Sequence, residues 1–221
     1  MPAIQDFDTL KAEVANWLSR SGDADFDRRF PLLVQLVEAE VNDMVRVADM
    51  ETEIALTILG NDDRVQVPSD FGGVRGQPYL SGNAGQIGLR VMPLTELLRE
   101  GRYGSGSGAR IYAMHGRDML IRPLSSTDQT VTVRYYKRVA PLEDGVNFLI
   151  SSAPDVYFNG CLSRGYEYLG READGDDADA VFRALLDDVI ESDAFERWGG
   201  TPQMQRSTVS TDDRPMLRTD R

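Results

Sequence analysis

One cysteine, one histidine and two lysines in 221 residues each remove a class of function. With Cys161 alone there is no intrachain disulfide, so the fold asks for no oxidising compartment. A chain this long can bury a real core without such staples, as one generous domain or one domain carrying an insertion. A Ser-His-Asp or Cys-His arrangement would have to use His115, which ends an alternating run just before Gly116, the ordinary place for a turn histidine. Cys161 falls on the apolar face of its segment and reads as a core thiol. Metal sites rich in His or Cys are excluded by count. Apolar stretches fall short of the ~20 residues that span a bilayer, and the N-terminus has neither the basic start nor the apolar run of a signal peptide. A soluble protein made in a cytoplasm, with no membrane partner, is expected.

The charge is strongly of one sign: 24 basic against 36 acidic residues, a net −12. Such a surface repels nucleic-acid backbones and anionic lipid, which speaks against sequence-reading DNA binding but not against DNA passing nearby. Only Lys11 and Lys137 are lysines, so arginine supplies nearly all the positive charge. Nucleotide bias in the source genome explains that, and so does interface use of the bidentate guanidinium; both can hold.

Apolar spacing divides the chain into helix, strand, helix. Phe7, Leu10, Val14, Trp17 and Leu18 line one helical face, which Ser21-Gly22 ends. A second helix is expected to start near Pro31, with Leu33, Val37, Val41, Met44 and Ala48 inside and Glu38, Glu40 and Asp43 on its polar face. At Glu51 the period changes to two. Ile54/Leu56/Ile58, Val65/Val67, Ile87/Leu89/Val91, Ile111/Ala113, Met119/Ile121 and Val131/Val133/Tyr135 predict short strands of a small antiparallel sandwich or barrel, interrupted by a short helix at 95–100. Helical spacing returns after Ser151-Ser152-Ala153-Pro154-Asp155, with Phe158, Cys161, Leu162, Gly165, Tyr168 and Leu169 inward. A last helix, 176–198, is expected to bury Val181, Leu185, Val189 and Ile190. The expected fold class is α+β: a helical bundle from both chain ends (1–50 plus 151–200), an inserted antiparallel β-domain (51–150) and an extended C-terminal arm (201–221), polar and without periodicity.

Two segments imitate chemistry. Gly104-Ser105-Gly106-Ser107-Gly108 has the glycines of a phosphate cradle, but that motif needs a strand before and a helix after, the reverse of this order. A flexible hairpin loop is the better reading. Asp174-Gly175-Asp176-Asp177-Ala178-Asp179 fails as a calcium loop at its fifth, sixth and twelfth positions. Acids at a helix start suit the macrodipole instead. From Glu172 to Arg197, however, ten acids face only Arg183 and Arg197. That excess fits a solvated face, a surface along which DNA slides without sticking, or a dock for a basic partner. No catalytic, cofactor-binding or metal-ligating residues emerge.

Read in order, several short signatures carry a resemblance. They are Asp8-Thr9-Leu10 leading to Trp17-Leu18-Ser19-Arg20, Glu38-Ala39-Glu40, Met50-Glu51, Val67-Pro68-Ser69-Asp70-Phe71, Tyr135-Tyr136, and Pro154-Asp155-Val156-Tyr157-Phe158-Asn159-Gly160. Over roughly residues 6 to 200 the chain resembles the head-to-tail adaptor (connector) proteins of tailed bacteriophages, including the tail tubular protein A group. The resemblance implies a structural virion protein at the head–tail neck, made in the bacterial host. It would form a ring of about twelve copies under the portal protein, on which a tail or nozzle protein assembles and through which genomic DNA passes. In such proteins a C-terminal segment docks onto the portal, a role that here would fall to Met204, Arg206, Arg214, Met216, Leu217 and Arg218. The acidic helix, with Asp176, Asp177, Asp179, Asp187, Asp188 and Glu191, would line the channel or meet an arginine-rich neighbour. Other readings are another neck protein (head- or tail-completion), a small-ligand-binding helical/β module, and a two-metal phosphoryl-transfer enzyme built from aspartates.

Overall fold

The computed structural model describes residues 4–82, 85–100 and 110–198. Helix α1 (Phe7–Trp17) opens with a reciprocal cap, Asp6 accepting from the Thr9 amide at 2.8 Å while Thr9 Oγ1 accepts from the Asp6 amide at 3.0 Å. It ends earlier than Ser21-Gly22, and Trp17 is half-exposed against the edge of Phe158. Helix α2 runs Ala24–Met44, so Pro31 lies inside it and not at its start. Asp23 caps the amides of Asp25 and Phe26, and burial of Phe26 and Phe30 carries the helix through the proline. The amide that Pro31 lacks would have reached the carbonyl of Asp27, an exposed residue whose oxygen can turn to water. Met44 is part-exposed, and Ala48 belongs to a 3₁₀ turn (Ala48–Met50).

Nine strands follow: β1 (Glu51–Ile58), β2 (Arg64–Gln66), β3 (Phe71–Val74), β4 (Tyr79–Gly82), β5 (Gly85–Gly88), β6 (Arg90–Val91), β7 (Ile111–His115), β8 (Asp118–Arg122) and β9 (Gln129–Lys137), with α3 (Leu94–Glu100) between β6 and β7. Among the described residues they form two sheets, β1-β9-β4-β5 with β3 also on β9, and β2-β8-β7-β6. All pairings are antiparallel except β6 with β7, which α3 joins as a crossover. The sheets face each other across Ile58, Leu80, Tyr112, Met119, Ile121, Val131 and Val133. Ile111, Ala113 and Leu120 point the other way, onto Leu97 of α3. Sheet two is thus covered on both faces, and β7 and β8 read as apolar runs. Ile87 and Val91 are exposed, and of the run 87–91 only Leu89 enters the core. The glycine-rich segment 104–108, expected as a flexible hairpin loop, lies outside the described residues. His115 closes β7 at a tight turn with Gly116 at φ +61.

A second core gathers both chain ends. Leu10 and Val14 of α1, Phe30, Val37 and Val41 of α2, Tyr157 and Cys161 of α5 (Pro154–Tyr168), and Phe182 and Leu186 of α6 (Glu172–Trp198) are all fully or nearly fully buried. Ser151 and Ser152 belong to a separate short helix, α4 (Phe148–Ser152), so helical structure resumes earlier than the spacing predicts. Of the expected inner faces, Cys161, Leu162 and Gly165 of α5 are buried and Leu185, Val189 and Ile190 of α6 pack partly buried against the core, and the differences are at single positions. Tyr157 replaces Tyr168 inside, and Phe182 and Leu186 replace Val181, which is half-exposed. Where a helix offers adjacent apolar pairs, such as Val181-Phe182 and Leu185-Leu186, the larger or better-placed member takes the core and periodicity alone does not choose. The fold is α+β, and among the described residues no helix is long and apolar enough to cross a membrane.

Candidate interaction surfaces

Helix α6 begins at Glu172, four residues before its expected start, so Asp174 to Asp179 are helical and cannot wrap a cation. Asp176, Asp177, Asp187, Asp188 and Glu191 are all exposed. The two aspartate pairs are eleven residues apart, three helical turns, and Glu191 stands one turn past Asp187, so the five share the side opposite Phe182 and Leu186. None of these five makes an ion pair among the described residues. Acids in the first turn gain from the helix dipole, but those in the second half do not. Asp187 and Glu191, at i,i+4, repel each other by roughly 0.2–0.5 kcal/mol. Helix stability therefore does not account for this row.

Asp179 is different. It is half-buried and accepts from Arg183 Nε at 2.7 Å, with Arg164 Nη1 at 3.6 Å. Arg164 also reaches Glu40 Oε2 at 2.5 Å, and Arg183 reaches Glu40 Oε1 at 2.9 Å. Two carboxylates and two guanidiniums thus tie α2, α5 and α6 together. At its far end α6 is fastened to the start of β1. Asp193 Oδ1 accepts from the Ala48 amide at 2.6 Å, and Arg197 lies 2.7 Å from Glu51, whose same oxygen takes Arg75 Nε at 2.9 Å. Burial alone would raise the Glu51 carboxyl, but Arg75 and Arg197 hold it below its ordinary value.

Between α2 and the chain leaving β9 lies a groove of about 730 Å³. Its walls are Glu38 and Asn42 of α2, Asp49 and Met50, Ser69 and Asp70, and residues 137–141 and 146–148. Glu38, expected on the polar face, is only 7% exposed. Its Oε1 accepts from the Leu142 amide at 2.7 Å and from Tyr157 Oη at 3.2 Å, while Asn147 Nδ2 donates to Tyr157 Oη at 2.8 Å. Burial raises the Glu38 carboxyl, and the charges of Asp144 and Glu143 push it the same way. The sequence held a signal that composition hides: Glu38 stands four residues after Val34 and three before Val41, on the buried stripe. Nearby, Asp70 accepts from Tyr135 Oη at 3.2 Å and Phe71 stacks on the Tyr135 ring at 5.4 Å. Glu38, Met50 and Asp70, from three of the signatures in the sequence, line this groove, and Tyr157 and Tyr135 from two others hydrogen-bond to Glu38 and Asp70 behind it.

With these surfaces in place, the comparison with known families is decisive: the model of the SU10 adaptor protein family matches residues 5–210. The chain belongs to that family. The match spans both sheets and the helical core, so the SU10 adaptor signature describes the fold as a whole and not an attached motif. As an SU10 adaptor the chain is a bacteriophage adaptor protein, a structural component of the virion. No curated protein matches the sequence. Met204, Arg206, Arg214, Met216, Leu217 and Arg218 lie outside the described residues. Cys161 is fully buried, and burial pushes its thiol up. Arg164 and Arg197, whose ion pairs hold α6 in place, were not among the expected residues.

Proposed function

We propose that this chain is a head-to-tail adaptor that forms a ring of about twelve copies between portal and tail, passes genomic DNA, and carries the platform for tail assembly. Membership of the SU10 adaptor family over residues 5–210 carries this reading. The row of carboxylates on α6 that make no ion pair among the described residues supports it, because a rigid negative surface repels phosphate and lets a duplex slide without sticking. Facing an arginine-rich neighbour is the other use of that row in a ring. The role is structural and needs no catalytic residue or cofactor. Portal docking falls to residues 201–221, and closer kinship with the tail tubular protein A group belongs to the same proposal. So does the division into a helical part, 1–50 plus 151–200, and a β-rich part, 51–150. The test is capture of the purified chain by its own portal ring, with bound copies counted by native mass spectrometry. Saturation near one adaptor per portal subunit, lost on removing residues 201–221, is expected. Absence of binding by the intact, folded chain would overturn the proposal.

A further inference from the structure

The groove beside Glu38 has a charge pattern that its own walls leave unanswered. Glu38, Asp49 and Asp70 line it, with Glu143 and Asp144 beyond Pro141, while Lys137 and Arg138 stand exposed on one rim. Both hydrogen bonds described for the Glu38 carboxylate come from uncharged donors, and the charges acting on it are negative. Apolar surface stands beside it, for Val146 is 63% exposed and Phe148 only half-buried. A fitting occupant is an extended segment with spaced guanidiniums and flexible apolar side chains.

The chain carries such a segment, and α6 delivers it here. Asp193 and Arg197 are fastened to Ala48 and Glu51, the residues that flank the groove wall Asp49-Met50. Helix α6 therefore ends near the Ala48–Glu51 stretch, whose middle residues form part of the groove wall. Residues 199–221, at ~3.3 Å per extended residue, reach roughly 76 Å, ample to turn back and lie along the groove. The last twenty-one residues contain Arg206, Arg214, Arg218 and Arg221 interspersed with Met204, Val209, Met216 and Leu217, in a protein that is otherwise strongly acidic. Asp212-Asp213, between the arginines, supplies a counterpart for the Lys137-Arg138 rim.

We propose that in the free protein this groove receives the chain's own C-terminal segment, residues 201–221, with arginines toward Glu38, Asp49 and Asp70 and methionine or leucine side chains toward Val146 and Phe148. Folded back in this way, the segment is withheld until another surface competes for it. The inference goes beyond the adaptor reading and does not depend on it, since it concerns the isolated chain.

The test is nitroxide labelling of a T211C variant of the full chain, with backbone amides read by NMR; Cys161, fully buried, stays unlabelled. Amides of Lys137, Arg138, Val146 and Phe148 should lose most of their intensity relative to the reduced label, while those around Asn61 and Thr127, at the far end of β1 and β9, keep theirs. Adding R214E and R218E, which leave the described structure untouched, should restore the groove signals. Full groove intensity with the label in place overturns the proposal. So does equal broadening on isotope-labelled, nitroxide-free molecules mixed with spin-labelled ones, which would assign the groove to a neighbour's segment. Because no portal is present, either failure leaves the docking role of the segment standing.

Discussion

Gly160 sits where α2, α5 and α6 meet, and replacing it with alanine tests how tightly they are joined. A Cβ built there lies 2.9 Å and 3.0 Å from the two Val37 methyls and 3.0 Å from Phe182 Cε2. Val37 is 1% exposed and Phe182 fully buried, and valine is stiff about χ1, so neither neighbour yields freely. Helix propensity alone favours alanine over glycine by roughly 1 kcal/mol. Forcing a methyl into a packed site costs roughly 1–3 kcal/mol, so a net loss of about 1 kcal/mol is expected. The sharper reading comes from the background. Val37→Ala alone should cost roughly 2 kcal/mol as a small cavity. It also removes the two methyls that oppose the new Cβ. In that background Gly160→Ala should turn stabilising, giving a coupling of about 1–2 kcal/mol. Urea unfolding of the four proteins, with unchanged slopes, measures all the terms. A Gly160→Ala protein more stable than the parent, or an equal loss in both backgrounds, would refute the reasoning.

Other consequences follow from the polar contacts. Burial raises the Glu38 carboxyl, so its contribution to stability is complete below the ordinary glutamate value near 4.5 and is lost as pH rises through the higher folded value. Glu38→Gln keeps the acceptor for Leu142 and Tyr157 and should gain on the parent as pH rises to neutrality in thermal unfolding; a parallel pH profile would contradict this. Glu38→Leu, at a pH below the ordinary glutamate range, should lose about 1–3 kcal/mol because two buried donors lose their partner. Arg164→Met leaves Glu40 and Asp179 with Arg183 as their remaining cation and should cost about 1–3 kcal/mol in denaturant unfolding, less than a fully buried pair. Neutralising Asp187, Asp188 and Glu191 together should leave unfolding unchanged or raise stability by a few tenths of a kcal/mol, while altering assembly on the portal; a large loss of fold stability would mean the row is structural.

The sequence conveyed the order of elements well, because periods of 3.6 and 2 alternate cleanly between α1 and α6. It conveyed faces less well. On α6, Val181-Phe182 and Leu185-Leu186 offer two stripes of equal merit, and only packing against α5 selects Phe182 and Leu186. Pro31 reads as a helix start, yet Asp23 and two buried phenylalanines place it in the second turn. Strands β3 and β4 escaped notice because their register comes from β9, a long-range partner, and not from alternation in residues 71–82. The acidic row was visible as composition, but its division was not. Arg164, from a different helix, removes Asp179 from the free surface. Glu38 was assigned outward by its chemistry when its spacing pointed inward.

The proposed ring under the portal, with the acidic α6 row of this SU10 adaptor toward DNA or a neighbouring copy, has a direct structural test. Cryo-electron microscopy of the source particle's neck tests it most directly. The expected map shows this chain as the layer beneath the portal, with Asp176, Asp177, Asp187, Asp188 and Glu191 on the channel or a copy-to-copy interface, and residues 201–221 reaching the portal. A neck whose sub-portal layer is built by another chain, or a ring carrying that row on its outer, uncontacted surface, would contradict it.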